Sequence, residues 1–207
     1  MDAPAVIGSM GPRLRLALRQ PDDGLVVAGP EADGLGEVEL VAFAAHGRLS
    51  GRIRLDSARL SDMLNDNEVF QLEGVLAERL PEGGSRLIKA VEIRRGELLL
   101  VFAAGPRGDR AHRRQTVARA LSVKVGPYLV TGDVHTTPGL DPLLHFRHRR
   151  PMVPLTDAVV QYQGPKGPVQ EFADTVVVNR ERTDWVRRSE SIGVPTSGPG
   201  QLGRPTN

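Results

Sequence analysis

Four of the five histidines, His112, His135, His145 and His148, fall between residues 105 and 150. The same stretch holds nine basic and three acidic residues, a net of +6 in a chain whose overall charge is only +2. Two chemistries suit such a segment. Arginine pairs bidentately with phosphate oxygens and releases condensed counterions, so Arg113, Arg114, Arg119, Arg147, Arg149 and Arg150 form a candidate nucleic-acid interface within residues 107–150. Only Tyr128 and Phe146 lie nearby to stack on bases, which argues against a single-strand platform. If these arginines lie on the surface, removing Arg113, Arg114, Arg149 and Arg150 leaves folding nearly unchanged. The second chemistry is metal ligation. His145 and His148 are three residues apart and share one face of a short helix, with His135 or Asp141 available to complete a shell. No further ligand motif supports it, so no metal is expected.

Other reactive groups are sparse. Asp62, Asp66 and Glu68 crowd one loop, but paired-carboxylate chemistry also needs a cleft. Arg149-Arg150-Pro151-Met152-Val153-Pro154 matches a loose polyproline ligand pattern, although Pro151 is better placed to end a helix. Arg107-Gly108-Asp109 reads as a turn. No Gly-rich phosphate loop, nucleophile elbow or metal-binding helix motif is present, so no cofactor is expected. The chain has no cysteine, which excludes disulfides, thiolate ligands and a cysteine nucleophile.

The elements that must position these residues come in two similar sets. Leu49-Ser50-Gly51-Arg52-Ile53 matches Val130-Thr131-Gly132-Asp133-Val134, Val69–Leu76 matches Met152–Val159, and Leu87–Ile93 matches Phe172–Val178. The spacing drifts from 81 to 83 to 85 residues, as small insertions in connecting loops produce. Within each set two strands form a hairpin, at His46-Gly47 and at Gly126-Pro127. A short helix follows. Asp141-Pro142 is a strong helix start, and Ser61-Asp62 is its expected counterpart. A second hairpin turns at Pro81–Gly84 or at Gly164–Pro168, and a last strand covers Glu97–Ala103 or Thr183–Arg187. Alternation in Leu87, Lys89, Val91, Ile93 and in Glu171, Ala173, Thr175, Val177 predicts half-buried strands. Segment 109–121 fits either a helix or a loop entering a strand.

The stretch Arg59-Leu60-Ser61-Asp62-Met63-Leu64-Asn65, followed by Phe70-Gln71-Leu72, resembles an uncharacterised bacterial domain of unknown function. Gly132-Asp133-Val134-His135, Pro138-Gly139, Asp141-Pro142 and Pro154-Leu155-Thr156-Asp157 look like a divergent second copy. The resemblance implies no activity and no ligand.

The expected architecture is therefore mainly β, with two tandem strand-rich units of pattern β-β-short α-β-β-β related by pseudo-symmetry. The predicted boundaries are an N-terminal extension at 1–36, units at 37–104 and 119–187, a basic connector at 105–118 and a Gly/Pro/Ser/Thr-rich tail at 188–207. Within the extension, Arg13–Arg19 alternates like an edge strand. A hydrophobic fraction of 40% and a charged fraction of 25% suit a globular protein, while aromatics at 4% leave the core to Val, Leu, Ile and Ala. Arginine outnumbers lysine 24 to 3, which reflects GC-rich coding more than selection for guanidinium forks. The acidic start, Met1-Asp2, and the lack of any long apolar run predict a bacterial cytoplasmic protein that does not enter a membrane. The leading functional expectation is a non-catalytic protein-interaction or scaffold protein acting on a protein partner or by self-association. Nucleic-acid binding is the first alternative, and an enzyme without a recognisable motif is the second.

Overall fold

The fold comes from a computed structural model that describes residues 36–103 and 115–189. Alternating sequence becomes hairpins throughout. β1 (Glu37–Ala44) turns into β2 (Gly47–Arg54), and β3 (Val69–Arg79) turns into β4 (Ser85–Arg94). Between the hairpins lies α1 (Leu60–Asp66), which buries Leu60, Met63 and Leu64 at helical spacing. A 3-10 turn at Arg95–Glu97 leads to β5 (Leu100–Ala103). The second half follows the same order. It contains β6 (Val117–Val125), β7 (Tyr128–Thr136), α2 (Pro142–His148), β8 (Met152–Gly164), β9 (Gly167–Asn179), a 3-10 turn at Arg180–Arg182, and β10 (Trp185–Arg188).

All ten strands belong to one antiparallel sheet, in the order β10-β6-β7-β8-β9-β5-β1-β2-β3-β4. The sheet therefore runs unbroken across the point where the sequence suggests a boundary between units. The contact there is β5 with β9, with Leu100 opposite Val178, Val101 opposite Val177 and Phe102 opposite Val176. Two apolar cores flank this seam. One gathers Leu40, Leu55, Leu64, Leu72 and Val91 of the first half, and also takes in Met152 and Val177 of the second. The other gathers Leu121, Val130, Phe146, Leu155 and Val178, and takes in Phe43, Leu80 and Leu99 of the first.

Several expectations change on inspection. Ser61 does not start α1: the helix begins at Leu60, and Arg59 precedes it without a side-chain cap. Asp141 does cap α2, accepting the Leu143 N–H at 3.0 Å. A helix from Asp109 to Leu121 is excluded at its C-terminal end, because Val117–Val125 is strand. The last strands start later than predicted: β5 begins at Leu100, with Glu97 taken into a 3-10 turn, and β10 covers Trp185–Arg188 in place of Thr183–Arg187. Alternation holds at buried Val91 and Ile93, but Leu87 stands 75% exposed. Arg13–Arg19, the 105–114 part of the connector (with His112, Arg113, Arg114 and the Arg107-Gly108-Asp109 turn) and the tail beyond 189 lie outside the described residues.

Candidate functional site

The seam is the most elaborated feature of the sheet. Side chains from both halves cross it. Asn65 on α1 donates from Nδ2 to the Met152 carbonyl and accepts the Met152 N–H on Oδ1, each at 2.9 Å. Asn179, at the end of β9, is 1% exposed. It donates to the carbonyls of Arg95 and Leu98, at 3.1 and 2.9 Å, and its own N–H reaches the Leu99 carbonyl at 3.0 Å. Tyr128 at the start of β7 donates its hydroxyl to the Ala44 carbonyl at 2.7 Å. Burial pushes the Tyr128 phenol up to about 12.

Both tyrosines and two phenylalanines meet at this point. Phe43 lies 5.1 Å from Phe102, 5.3 Å from Tyr128 and 5.6 Å from Tyr162, ring centre to ring centre. The tilted and edge-on geometries are those that aromatic quadrupoles favour. Arg48 on β2 covers the cluster, 5.8 Å above Phe43, and pairs with Glu78 at 3.3 Å and with Glu171 of β9 at 3.7 Å. Tyr162 donates to Glu171, and burial followed by that carboxylate raises its phenol. None of these seam residues carries a chemical signature in the sequence. The one available signal is Val176-Val177-Val178, a run that breaks alternation because both faces of the strand are covered.

The sequence-predicted residues lie elsewhere, and the structure scatters them. His135 on β7 meets Thr156 Oγ1 through Nε2 at 2.9 Å and Thr116 Oγ1 through Nδ1 at 3.4 Å. His145 on α2 accepts from Arg149 Nε at 2.8 Å through Nε2, so its ring carries the proton on Nδ1. Arg149 also reaches the His135 carbonyl at 3.2 Å. A guanidinium thus occupies the lone pair that a metal would need. Burial, then the charge of Arg149, lowers the His145 pKa, against a hydrogen bond with the His135 backbone. Burial also lowers Arg149 and raises nearby Asp133, whose neighbour Asp157 pushes the same way while His135 opposes. His148 is exposed. Among the described residues, no group of three or more histidines and carboxylates is placed to hold a metal ion.

The basic residues diverge too. Arg119 on β6 and Arg147 on α2 are exposed. Arg119 lines a surface hollow with Leu140, Asp141 and Arg188. Asp141 there is held low by its bond from the Leu143 N–H and then by Arg188, 3.1 Å away. Arg150 pairs with Asp66 across the seam. Arg149 is half-buried and bonded, so the expectation that it can be removed without affecting the fold is corrected. The acidic residues do not crowd one loop, since Asp62 and Asp66 lie on α1, and they do not converge either, because Asp66 turns to Arg150 and Glu68 to Arg95. α2 ends at His148, before Pro151 is reached, and Met152 and Val153 are buried in β8, which leaves no exposed polyproline segment there.

Two strands, β4 and β10, each have a single partner among the described residues, β3 and β6 respectively. Apolar side chains stand out beside both. Val69 is 48% exposed next to β4, and Trp185 on β10 is 40% exposed with Arg187 stacked 4.7 Å from its ring. Open edges offer unpaired backbone donors and acceptors to another strand. No family model, curated protein or solved structure matches this chain.

Proposed function

We propose that the chain is a non-catalytic interaction protein that joins partners through the free edges of its sheet, and that the sheet consists of two divergent copies of one five-strand unit. The observation that carries this reading is the β5–β9 seam, because it is an edge-to-edge joint of the kind proposed, built within the chain. Correspondence between the halves supports the duplication. Strand order is β5-β1-β2-β3-β4 in one half and β10-β6-β7-β8-β9 in the other. Backbone bonds recur at matching places. The Leu99 N–H reaches the Phe43 carbonyl and the Asp184 N–H reaches the Lys124 carbonyl, both at 2.8 Å. Gly74 and Asp157, one at each matching register shift, both take positive φ, 58° and 49°.

Strand addition supplies affinity through main-chain hydrogen bonds and specificity through side chains flanking the edge. Phosphate binding by the basic segment has less in its favour, since Arg149 and Arg150 are already engaged within the protein. The test compares capture of native partners by the wild-type chain and by edge variants. In Glu92→Pro the outward edge of β4 loses a donor, and Trp185→Ser removes the apolar flank of β10. Capture that falls in either variant supports the reading. Capture unchanged in both overturns it.

A further inference from the structure

We infer that the partner of each free edge is the opposite free edge of another copy of this chain, so that the protein assembles head to tail with β10 of one copy beside β4 of the next. The inference rests on the edge-pairing reading above and deepens it by naming the partner. The argument is positional. β10 stands to β6 as β5 stands to β1: Trp185 faces Lys124 and Val186 faces Val123, just as Leu100 faces Phe43 and Val101 faces Ala42. β4 stands to β3 as β9 stands to β8: Ile93 faces Phe70 as Val178 faces Val153. Within the chain, the β5 position of the first half is joined to the β9 position of the second. Among the described residues, the two edges left over are the remaining halves of that same joint.

Carrying the seam register across places Trp185 opposite Ile93, Val186 opposite Glu92 and Arg187 opposite Val91. Asp184 then lies opposite Arg94, an opposite-charge pair of the kind that favours adjacent strands. Exposure differs between the halves where this joint would cover it. Met152 and Leu100 at the seam are 1% and 0% exposed, whereas their counterparts Val69 and Trp185 are 48% and 40% exposed. One ladder group changes partner on assembly: the Arg94 N–H, held by Glu97 Oε2 at 3.1 Å, corresponds to the Asn179 N–H that crosses the seam. Each copy presents one edge of each kind, so the contact is heterologous. Repetition closes into a ring or continues as a filament, and a two-fold face-to-face joint of like edges is not formed.

Light scattering on the purified full chain reads the mass, and a cysteine pair reads the register. Because the chain lacks cysteine, Glu92→Cys and Val186→Cys each introduce a single thiol. The expected mass is at least twice the 22.4 kDa of one chain, lowered by Glu92→Pro and by Trp185→Ser but not by Phe172→Ser, an exposed position away from both free edges. Under mild oxidation a mixture of the two cysteine variants yields a disulfide between copies, and neither variant alone does. Circular dichroism of every variant confirms that its sheet is intact. A monomer at all concentrations overturns self-assembly, as does a disulfide formed by either cysteine variant alone. If partner capture still depends on the edges in that case, the general edge-pairing reading stands and only the second-copy inference falls. If capture is also unchanged, both fall.

Discussion

Asn65 and Met152 exchange two hydrogen bonds of 2.9 Å, one in each direction, so that a side-chain amide on α1 pairs with the first residue of β8 as another backbone would. The amide extends the seam beyond the short β5–β9 ladder and fixes the height of one half against the other. Asn65→Ala leaves the N–H and carbonyl of a buried residue without partners. An unsatisfied buried polar group costs about 1–3 kcal/mol, so the loss expected in urea unfolding is about 2 kcal/mol. Asn65→Asp keeps the acceptor and loses the donor, and it should fall between wild type and alanine. An alanine variant within a few tenths of wild type would show that the exchange adds no net stability.

Tyr128 makes the second crossing, to the Ala44 carbonyl. Tyr128→Phe keeps the ring within the aromatic cluster and removes only that bond, at a cost of about 1 kcal/mol. The phenol also gives a pH signature. Its folded value of about 12 exceeds the ordinary 10.0. Stability tied to the neutral phenol is therefore complete below pH 10 and is lost as pH rises towards 12. Ultraviolet titration of the folded chain should show late ionisation of both Tyr128 and Tyr162. Ionisation of either ring near 10 in the native protein would contradict its burial.

His145 gives the opposite sign at lower pH. Its folded pKa lies below the ordinary 6.5, so between those two values the unfolded chain binds more protons than the folded one. Stability therefore falls as pH drops through 6.5 towards the folded value. Protonation would place a cationic ring against the Arg149 guanidinium. Asp133, with a raised value, acts in the other direction but only in the acidic range just above 3.8. Thermal unfolding at neutral pH and at mildly acidic pH should show a drop in Tm that is smaller in His145→Gln, whose amide oxygen still accepts from Arg149. An identical drop in both proteins would place the proton uptake elsewhere.

Much of the fold was legible because hairpins write themselves locally. The period-2 alternation, the turn at Gly126-Pro127 and the Asp141-Pro142 helix start each depend on a few adjacent residues, whereas the turns expected at His46-Gly47 and Gly164–Pro168 form at Ala45-His46 and Pro165-Lys166, because the flanking glycines join the strands. What could not be read was how β5 and β9 meet. That contact joins residues far apart in sequence, and Leu100–Ala103 has the same composition whether it closes one sheet or bridges two. The apolar run Val176–Val178 was the trace left by a strand covered on both faces. Arg149 reads as a surface arginine in the sequence, because nothing local shows that the end of α2 brings its guanidinium onto His145 and the His135 carbonyl. Of the two histidines three residues apart, only His145 is engaged, by Arg149, while His148 is exposed.

Gly132 offers a test of the register shift between β7 and β8. A Cβ placed there would lie 3.0 Å from both the Ala158 Cβ and the Thr156 carbonyl oxygen. Neither neighbour is the free end of a flexible side chain, so Gly132→Ala forces β7 and β8 apart at an expected cost of about 1–3 kcal/mol. At the matching shift in the first half, Gly74 has φ of 58° with open space around it. Gly74→Ala therefore costs about 1 kcal/mol from backbone strain alone, and Gly74→Asn costs less because asparagine tolerates the left-handed region. Unfolding titrations of the three variants separate crowding from strain. Equal losses in all three would merge the two causes.

Arg147 and Arg149, two residues apart, separate the structural use of arginine from its use on phosphate. Arg147 is exposed, whereas Arg149 is bonded to His145 and to the His135 carbonyl. Arg149→Ala strips partners from two half-buried acceptors and is expected to destabilise the chain by about 1–3 kcal/mol. Arg119→Ala combined with Arg147→Ala should leave unfolding within about 0.5 kcal/mol of wild type. That double variant is therefore the clean probe for nucleic-acid binding, and any variant containing Arg149→Ala confounds it. Anisotropy titrations with mixed-sequence DNA and RNA at low and moderate salt are expected to show no difference between the double variant and wild type, as follows if the sheet edges carry the function. Should wild type bind and the double variant bind more weakly with a flatter salt slope, the exposed arginines neutralise phosphates, and the edge-pairing reading loses its exclusivity.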